Sequence, residues 1–357
     1  MRVGKLEEAL AYQKAILQGV SRSFALTIPL LPENLSTAVT NAYLLCRIAD
    51  TIEDDVNLSA TEVREFQSEF IRVLRDGENP DSLVAALAPR LSESTLAAER
   101  DLVGQMHKIV LVTNQFNPGK RDTLIRCVEV MCQEMPDFQR ADKHKGLATM
   151  EDMNHYCYAV AGVVGEMLTE LFCNYSDKAA LNSQALMRLA PSFGQGLQMT
   201  NILKDVWDDW REGNCWLPAD IFAEAGYDIG NMSPDHDRQN FNAGLSQLVG
   251  KTHGHLKNAL EYALLIPAKE TGIRKFLLWN VHMAVATIRR ISQSGVYTSG
   301  DEVKISKLEL LKVITLTNAA VRSDNMLRAV FAHLGKGLPY QVIEEQFFDQ
   351  AASLSSF

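Results

Sequence analysis

Two stretches of this chain carry side chains able to do chemistry together. In Gln198-Met-Thr-Asn201-Ile-Leu-Lys204-Asp205-Val-Trp-Asp-Asp209, the residues Gln198, Asn201, Asp205 and Asp209 are spaced three, four and four apart. On an α-helix that spacing stacks them on one face, while Leu197, Met199, Ile202, Leu203, Val206 and Trp207 suit burial. In the second stretch Tyr43, Arg47, Asp50 and Asp54 fall at i, i+4, i+7 and i+11, with Leu44, Leu45, Ile48 and Ile52 elsewhere on the helix. One D-x-x-x-D alone reads as an ordinary solvated face. Two of them, each extended upstream by polar residues in register, predict carboxylates on opposing walls of an interior cavity. Buried carboxylates need a cation. Oxygen ligands with incomplete neutralisation suit Mg²⁺, which keeps waters and bridges to phosphates. Neither stretch has the calcium-loop pattern of an EF-hand.

The elements that must position these stripes read as helices. Gly and Pro make up about 9% of the 357 residues, below the roughly 12% average, and alternating strand-like runs are scarce. The expectation is an all-α chain, residues 1–357 forming a single domain, with acidic motifs at 50–55 and 205–209. Helical spacing covers 5–18, 61–76, 81–116, 120–135, 151–172, 238–266, 271–293 and 305–333. The net charge of −9 argues against nucleic acid as the main partner. Six cysteines without C-x-x-C pairing predict reduced core residues of a cytoplasmic protein. No signal core and no uninterrupted apolar run of roughly 18 residues is present, so the expectation is a soluble chain with no transmembrane segment.

Smaller features leave alternatives open. Ser21, Arg22 and Ser23 offer clustered donors to phosphate oxygens, or serve as helix-boundary caps. Thr149, with Asp152 three residues on, predicts a capping box. Gly162 and Gly165 suit close approach of another helix or of a ligand. Tyr156 fits a core tyrosine or a proton relay beside a diphosphate. The loop Arg211–Pro218 fits a lid or a plain connection. A loop at 295–301 separates the last two helical regions, and Ala351–Phe357 is expected to fray.

Together these motifs resemble the squalene/phytoene synthase family of head-to-head prenyltransferases from about residue 20 to 310. Ser21-Arg-Ser-Phe24, Asp50-Thr-Ile-Glu-Asp54-Asp, Tyr156-Cys-Tyr-Ala-Val-Ala-Gly-Val-Val-Gly165 and Gln198 to Asp209 match in order and at similar separations. The resemblance implies one all-α isoprenoid-synthase domain with the acidic helices facing across a central cavity. It implies Mg²⁺ held by Asp50, Glu53 and Asp54 on one wall and by Asn201, Asp205 and Asp209 on the other. Arg22, Arg47 and Lys204 match diphosphate-contacting positions, with Ser21, Ser23, Phe24, Tyr43 and Gln198 in the same region. Tyr156 matches the tyrosine proposed to take the proton in the first half-reaction.

The resemblance is stronger to the squalene-type branch than to the phytoene type. Residues 275–287 and Val303-Lys304-Ile-Ser306-Lys307 resemble the region linked to NADPH, which implies a cofactor role for Lys304. Asn280 stands where a proline is common and Ser306 where an arginine is common. The implied activity is condensation of two farnesyl diphosphates to presqualene diphosphate, then NADPH-dependent reduction to squalene. Other outcomes of the same fold are a synthase of presqualene diphosphate or phytoene without the reductive step, and a non-catalytic helical binding protein. So apolar a product implies transient contact with a membrane surface. The eukaryotic C-terminal membrane anchor has no match in this sequence.

Overall fold

In the computed structural model, which describes residues 2–138, 143–295 and 297–344, no strand occurs among the described residues. A single parallel bridge joins Leu147 and Pro218. The first third of the chain contains α1 (Arg2–Val20), α2 (Ser23–Thr27), α3 (Glu33–Asp54), α4 (Ala60–Asp76), α5 (Asp81–Leu87), α6 (Ala97–Gly104), α7 (Met106–Thr113) and α8 (Pro118–Glu134). Then follow α9 (Met150–Cys157), α10 (Val163–Tyr175), α11 (Asp177–Ala180), α12 (Ser183–Arg211), α13 (Ala219–Glu224) and α14 (Arg238–Leu265). The last are α15 (Thr271–Ser294), α16 (Gly300–Val303), α17 (Lys307–Ala320) and α18 (Asp324–Leu334).

The two stripes lie on α3 and α12. Leu44, Leu45, Ile48 and Ile52 are fully buried on α3, as are Met199, Ile202, Leu203, Val206 and Trp207 on α12 to within a few per cent. One continuous hydrophobic core takes in both helices. α12 is central to it, packing on α10, α14 and α15, and α10 also touches α3. Pro191 sits inside α12 without ending it.

Local signals set many boundaries. Ser59 and Glu62 form a capping box at the start of α4, and Thr149 and Asp152 form the expected one at α9. Three expected helices are corrected. The 81–116 region is α5, α6 and α7, because Pro89 enters a 3₁₀ turn at Ala88–Arg90 and Gln105 leaves helical geometry between α6 and α7. The 305–333 region is α17 and α18, parted where Ser323 caps the second. The 151–172 helix contains a π turn at Tyr158–Gly162, so α9 and α10 run end to end through it. By length and composition Met150–Tyr175 could cross a bilayer, but 67% of that apolar window is buried inside the protein. It is placed as a core element. The expectation for Ala351–Phe357 lies outside the described residues.

Gly165 is explained by packing. A Cβ there would lie 2.0 Å from the Ala190 carbonyl oxygen, and one at Gly194 would lie 1.8 Å from that of Ala161. The backbones of α10 and of the π turn before it interlock with α12 at these two points, leaving no room for a ligand. Gly165→Ala and Gly194→Ala should each destabilise the fold by about 1–3 kcal/mol, the usual cost of overpacking. Gly104→Ala, with nothing within 4 Å, should not. Urea unfolding checks this; unchanged midpoints for both interlocked glycines would contradict so close a contact.

Candidate active site

On α3, the Tyr43 hydroxyl donates to the Val20 carbonyl at 2.9 Å, and Arg47 donates to the Tyr43 oxygen at 2.9 Å. Phe24 on α2 lies 5.3 Å from the Tyr43 ring and 6.4 Å from Phe276. These contacts draw Ser21–Phe24 against the head of the first stripe. Ser21 Oγ accepts the Phe24 N–H at 3.1 Å, which is a capping role, while Arg22 and Ser23 are exposed.

Arg47 is the cation of this wall. It stands 4.0 Å from Asp50 and 3.7 Å from Glu99, and its Nε is buried without a partner. Burial alone would lower its pKa, but Asp50, Tyr43 and Glu99 more than offset this and raise it. Glu99, on the short helix α6, was not foreseen, since an isolated acid on an eight-residue helix leaves no periodic signal. Asp55 has a different task from its neighbours. It is buried, and accepts bonds from the Asn57 and Ser92 N–H groups and the Thr95 hydroxyl at 2.7–3.0 Å. It pins the loop after α3, whereas Asp54 is exposed and Glu53 half-buried.

On α12, Gln198, Lys204, Asp205 and Asp209 are half-buried and Asn201 is exposed. Lys204 and Asp205 form an ion pair at 3.0 Å. Asp208, off the predicted stripe, bonds to Arg211 and to the Gly300 N–H, both at 2.7 Å.

Tyr156 is brought to the first wall from α9. Burial, and then Glu53, Asp54 and Asp50, push its phenol well above the ordinary value. Its ring stacks on Trp216 with centroids 4.2 Å apart and planes within 6°, and meets Phe138 edge-on at 5.4 Å. The loop that supplies Trp216 is pinned by Leu147 N–H to Leu217 O at 2.9 Å and Ala219 N–H to Leu147 O at 2.8 Å. Buried Cys215 and Leu217 hold it further. It is an ordered wall carrying an aromatic face.

The two walls meet electrostatically. Asp50 is raised to about 7 by burial, partly opposed by Arg47 and reinforced by Asp54 and Glu99. Asp209 is raised to about 7 by burial, then by Asp205, Glu212, Asp208 and, from the other wall, Asp54. Asp50 still keeps 29% of its side-chain surface accessible. A carboxyl crowded enough to titrate near 7 and yet reachable lies in a cleft.

Such a cleft fits Mg²⁺. Its donors are hard oxygens in excess of cations, and two of them, Asp50 and Asp209, are raised to about 7, first by burial and then by neighbouring carboxylates. Among the described residues no three acidic, His or Cys side chains converge into a closed shell. Each ion would complete its coordination with water and phosphate oxygens, as Mg²⁺ does. Just after α16, Lys304 is half exposed and 3.6 Å from the exposed Asp301, open to an anionic ligand. Ser306 offers no cation and caps α17 in a box with Glu309. Asn280 is buried, donating to Phe276 O at 2.8 Å and Thr27 Oγ1 at 3.2 Å, which ties α15 to α2.

An all-helical fold with two acidic walls defines a class, and comparison with known proteins identifies it. The squalene/phytoene synthase family profile matches residues 17–309. The chain belongs to the squalene/phytoene synthase family. It is 30% identical over 305 residues to the squalene synthase of Candida albicans, covering 82% of this chain and 64% of that protein. It is 30% identical over 328 residues to a squalene synthase of Botryococcus braunii, covering 89% and 65%. The chain thus spans just under two thirds of the length of these curated relatives. Among solved structures, TcSQS in complex with BPH1237 is similar with a TM-score of 0.75 at 22% identity over 94% of both chains. A dehydrosqualene synthase with ligand gives 0.64 at 20%, over 90% of this chain and all of the other. These two show the fold.

The raised carboxyls set a pH dependence. An acid whose folded pKa exceeds its unfolded value of roughly 4 holds its proton more tightly when folded. Its stabilising effect is full below that unfolded value and is lost as pH rises through about 7. The cation-free protein should therefore lose melting temperature between roughly pH 4 and 7, and Asp50→Asn should flatten the loss. Added Mg²⁺ and inorganic diphosphate should stabilise more at pH 8 than at pH 6. Parallel melting curves for wild type and Asp50→Asn across that range would contradict the buried-carboxyl account.

Proposed function

We propose that the protein joins two farnesyl diphosphates head to head into presqualene diphosphate and reduces this with NADPH to squalene. The observation that carries the reading is the pair of acidic helices facing one cleft, with Asp54 of one wall felt at Asp209 of the other. When bound, Mg²⁺ would neutralise the departing diphosphate and NADPH would supply a hydride. Asp50, Glu53 and Asp54 would hold the metal on one wall and Asn201, Asp205 and Asp209 on the other, with Lys304 toward NADPH.

The chain's own residues do the rest. Arg47, Arg22 and Lys204, with Ser21, Ser23 and Gln198, hold and orient the diphosphates. The Arg47 side chain keeps 30% of its surface accessible, which leaves its guanidinium within reach of a ligand. Tyr156 and Trp216 present stacked aromatic faces, and with Phe138, Phe24 and Tyr43 they exclude water and favour a cation. The Tyr156 phenol is neutral, so it works as a relay. Its oxygen takes the proton lost as the cyclopropane closes, while its own O–H proton passes to an oxygen of the departing diphosphate.

Incubation of the purified protein with farnesyl diphosphate and Mg²⁺ should give presqualene diphosphate without NADPH and squalene with it. Asp50→Ala and Asp205→Ala should each lower turnover by about 100-fold or more, the scale of losing an electrostatic stabiliser. Presqualene diphosphate in both tubes would overturn the reductive half; near-normal turnover in either variant would overturn the two-wall arrangement.

A transient membrane-surface contact and a cytoplasmic setting belong to the same proposal. Free cysteines throughout are in keeping with a reducing compartment. On α17, Leu308, Leu311 and Leu316 are exposed beside Lys307 and Lys312, a composition suited to an anionic bilayer surface. The protein should co-sediment with anionic vesicles, less so as Leu308→Ser/Leu311→Ser. Complete absence of co-sedimentation would remove this part of the reading.

A further inference from the structure

The segment after α15 returns to the second acidic wall at several points. The Tyr297 hydroxyl donates to the Leu203 carbonyl. The Gly300 N–H donates to Asp208 at 2.7 Å. Arg211 bridges the Asp208 carboxylate, at 2.7 Å, to the Thr298 carbonyl. Asp208 thus faces this segment from the helix that carries Asp205 and Asp209.

Gly300 is buried at the first position of α16. Its backbone is not in the left-handed region, so conformational freedom does not explain a glycine there. Space does. A Cβ at Gly300 would lie 2.3 Å from Asp205 Oδ1 and 3.2 Å from Asp208 Oδ2. The Asp205 carboxylate therefore rests directly on the Gly300 backbone, with Lys204 Nζ 3.0 Å from its other oxygen. Four residues further on comes Lys304.

We propose that Asp208 and Gly300 are a positioning pair: the Asp208–Gly300 bond seats a side-chain-free stretch of backbone against Asp205, aims that carboxylate at the diphosphate site, and by the same contact fixes the segment leading to Lys304. This rests on the reading of Asp205 as a residue that takes Mg²⁺ and diphosphate. A charged acceptor makes the bond short and strong, and contacts of this kind behind a metal ligand set its direction.

The test is thermal unfolding of the full chain, titrated with Mg²⁺ in the presence of inorganic diphosphate. Wild type should gain melting temperature and Asp205→Ala should gain little. In Gly300→Ala and Asp208→Ala, the Mg²⁺ concentration giving half of the gain should rise about tenfold or more. Without ligand, Gly300→Ala should melt somewhat below wild type, since its Cβ also meets the Lys204 carbonyl oxygen at 3.2 Å, so each variant's gain is read from its own ligand-free baseline. Asp208→Asn, whose amide oxygen still accepts the Gly300 N–H, should recover most of the wild-type response. Wild-type titrations for Gly300→Ala and Asp208→Ala, with Asp205→Ala defective, would overturn the proposal and leave the function standing. A wild type that does not respond to Mg²⁺ and diphosphate would overturn both.

Discussion

Opposed carboxylates gathered at the margin of a mostly apolar core are the constraint on which this protein depends. α3 and α12 could not keep Asp50, Asp54, Asp205 and Asp209 facing one cleft unless the rest of the fold outweighed the cost. The means are visible. Each stripe is narrow, and the remaining circumference of both helices is buried in a single continuous core. One guanidinium, Arg47, is shared among Asp50, Glu99 and the Tyr43 oxygen. Burial, and then neighbouring carboxylates, raise Asp50 and Asp209 to about 7. The site is thus built short of positive charge, which the proposed Mg²⁺ would supply.

The aromatic side of the cleft completes this arrangement. Burial and the nearby Glu53, Asp54 and Asp50 hold the Tyr156 phenol in its neutral form, so it adds no further negative charge to this wall. Trp216, carried by a loop fastened to Gly146–Leu147, lies flat on it. Negative charge and apolar π-surface are placed side by side, an arrangement that would favour the carbocation of the proposed reaction.

Much of this was legible because helices write their faces into the sequence. The 43/47/50/54 and 198/201/205/209 sets each fall on a single helix, as their spacing predicts, and Thr149 with Asp152 marked a real helix start. The resemblance to the family extended over the region its profile matches. What was hidden depends on contacts far apart in sequence. Glu99 meets Arg47 from a helix with no distinguishing pattern. Gly300 is a glycine because of a carboxylate nearly a hundred positions earlier. The breaks within 81–116 escaped because apolar spacing persists across them, and only Pro89 marks one. Residues 338–344 run along α14, where Gly250 and Gly254 leave room for Gln341; no period announces a strap.

The π turn at Tyr158–Gly162 gives one helical run two unrelated faces. Before it, Tyr156 looks toward the acids of α3; after it, Gly165 is locked on α12 and Glu166 is buried, with the Tyr158 hydroxyl 3.3 Å away. A helix advances about 100° per residue, so one residue accommodated as a wide turn acts as a phase slip between the halves. Deleting one residue there would yield a smoother, more regular helix and carry Tyr156 about a quarter-turn out of the cleft. The irregularity is an alignment device, set by the length of the run more than by its side chains.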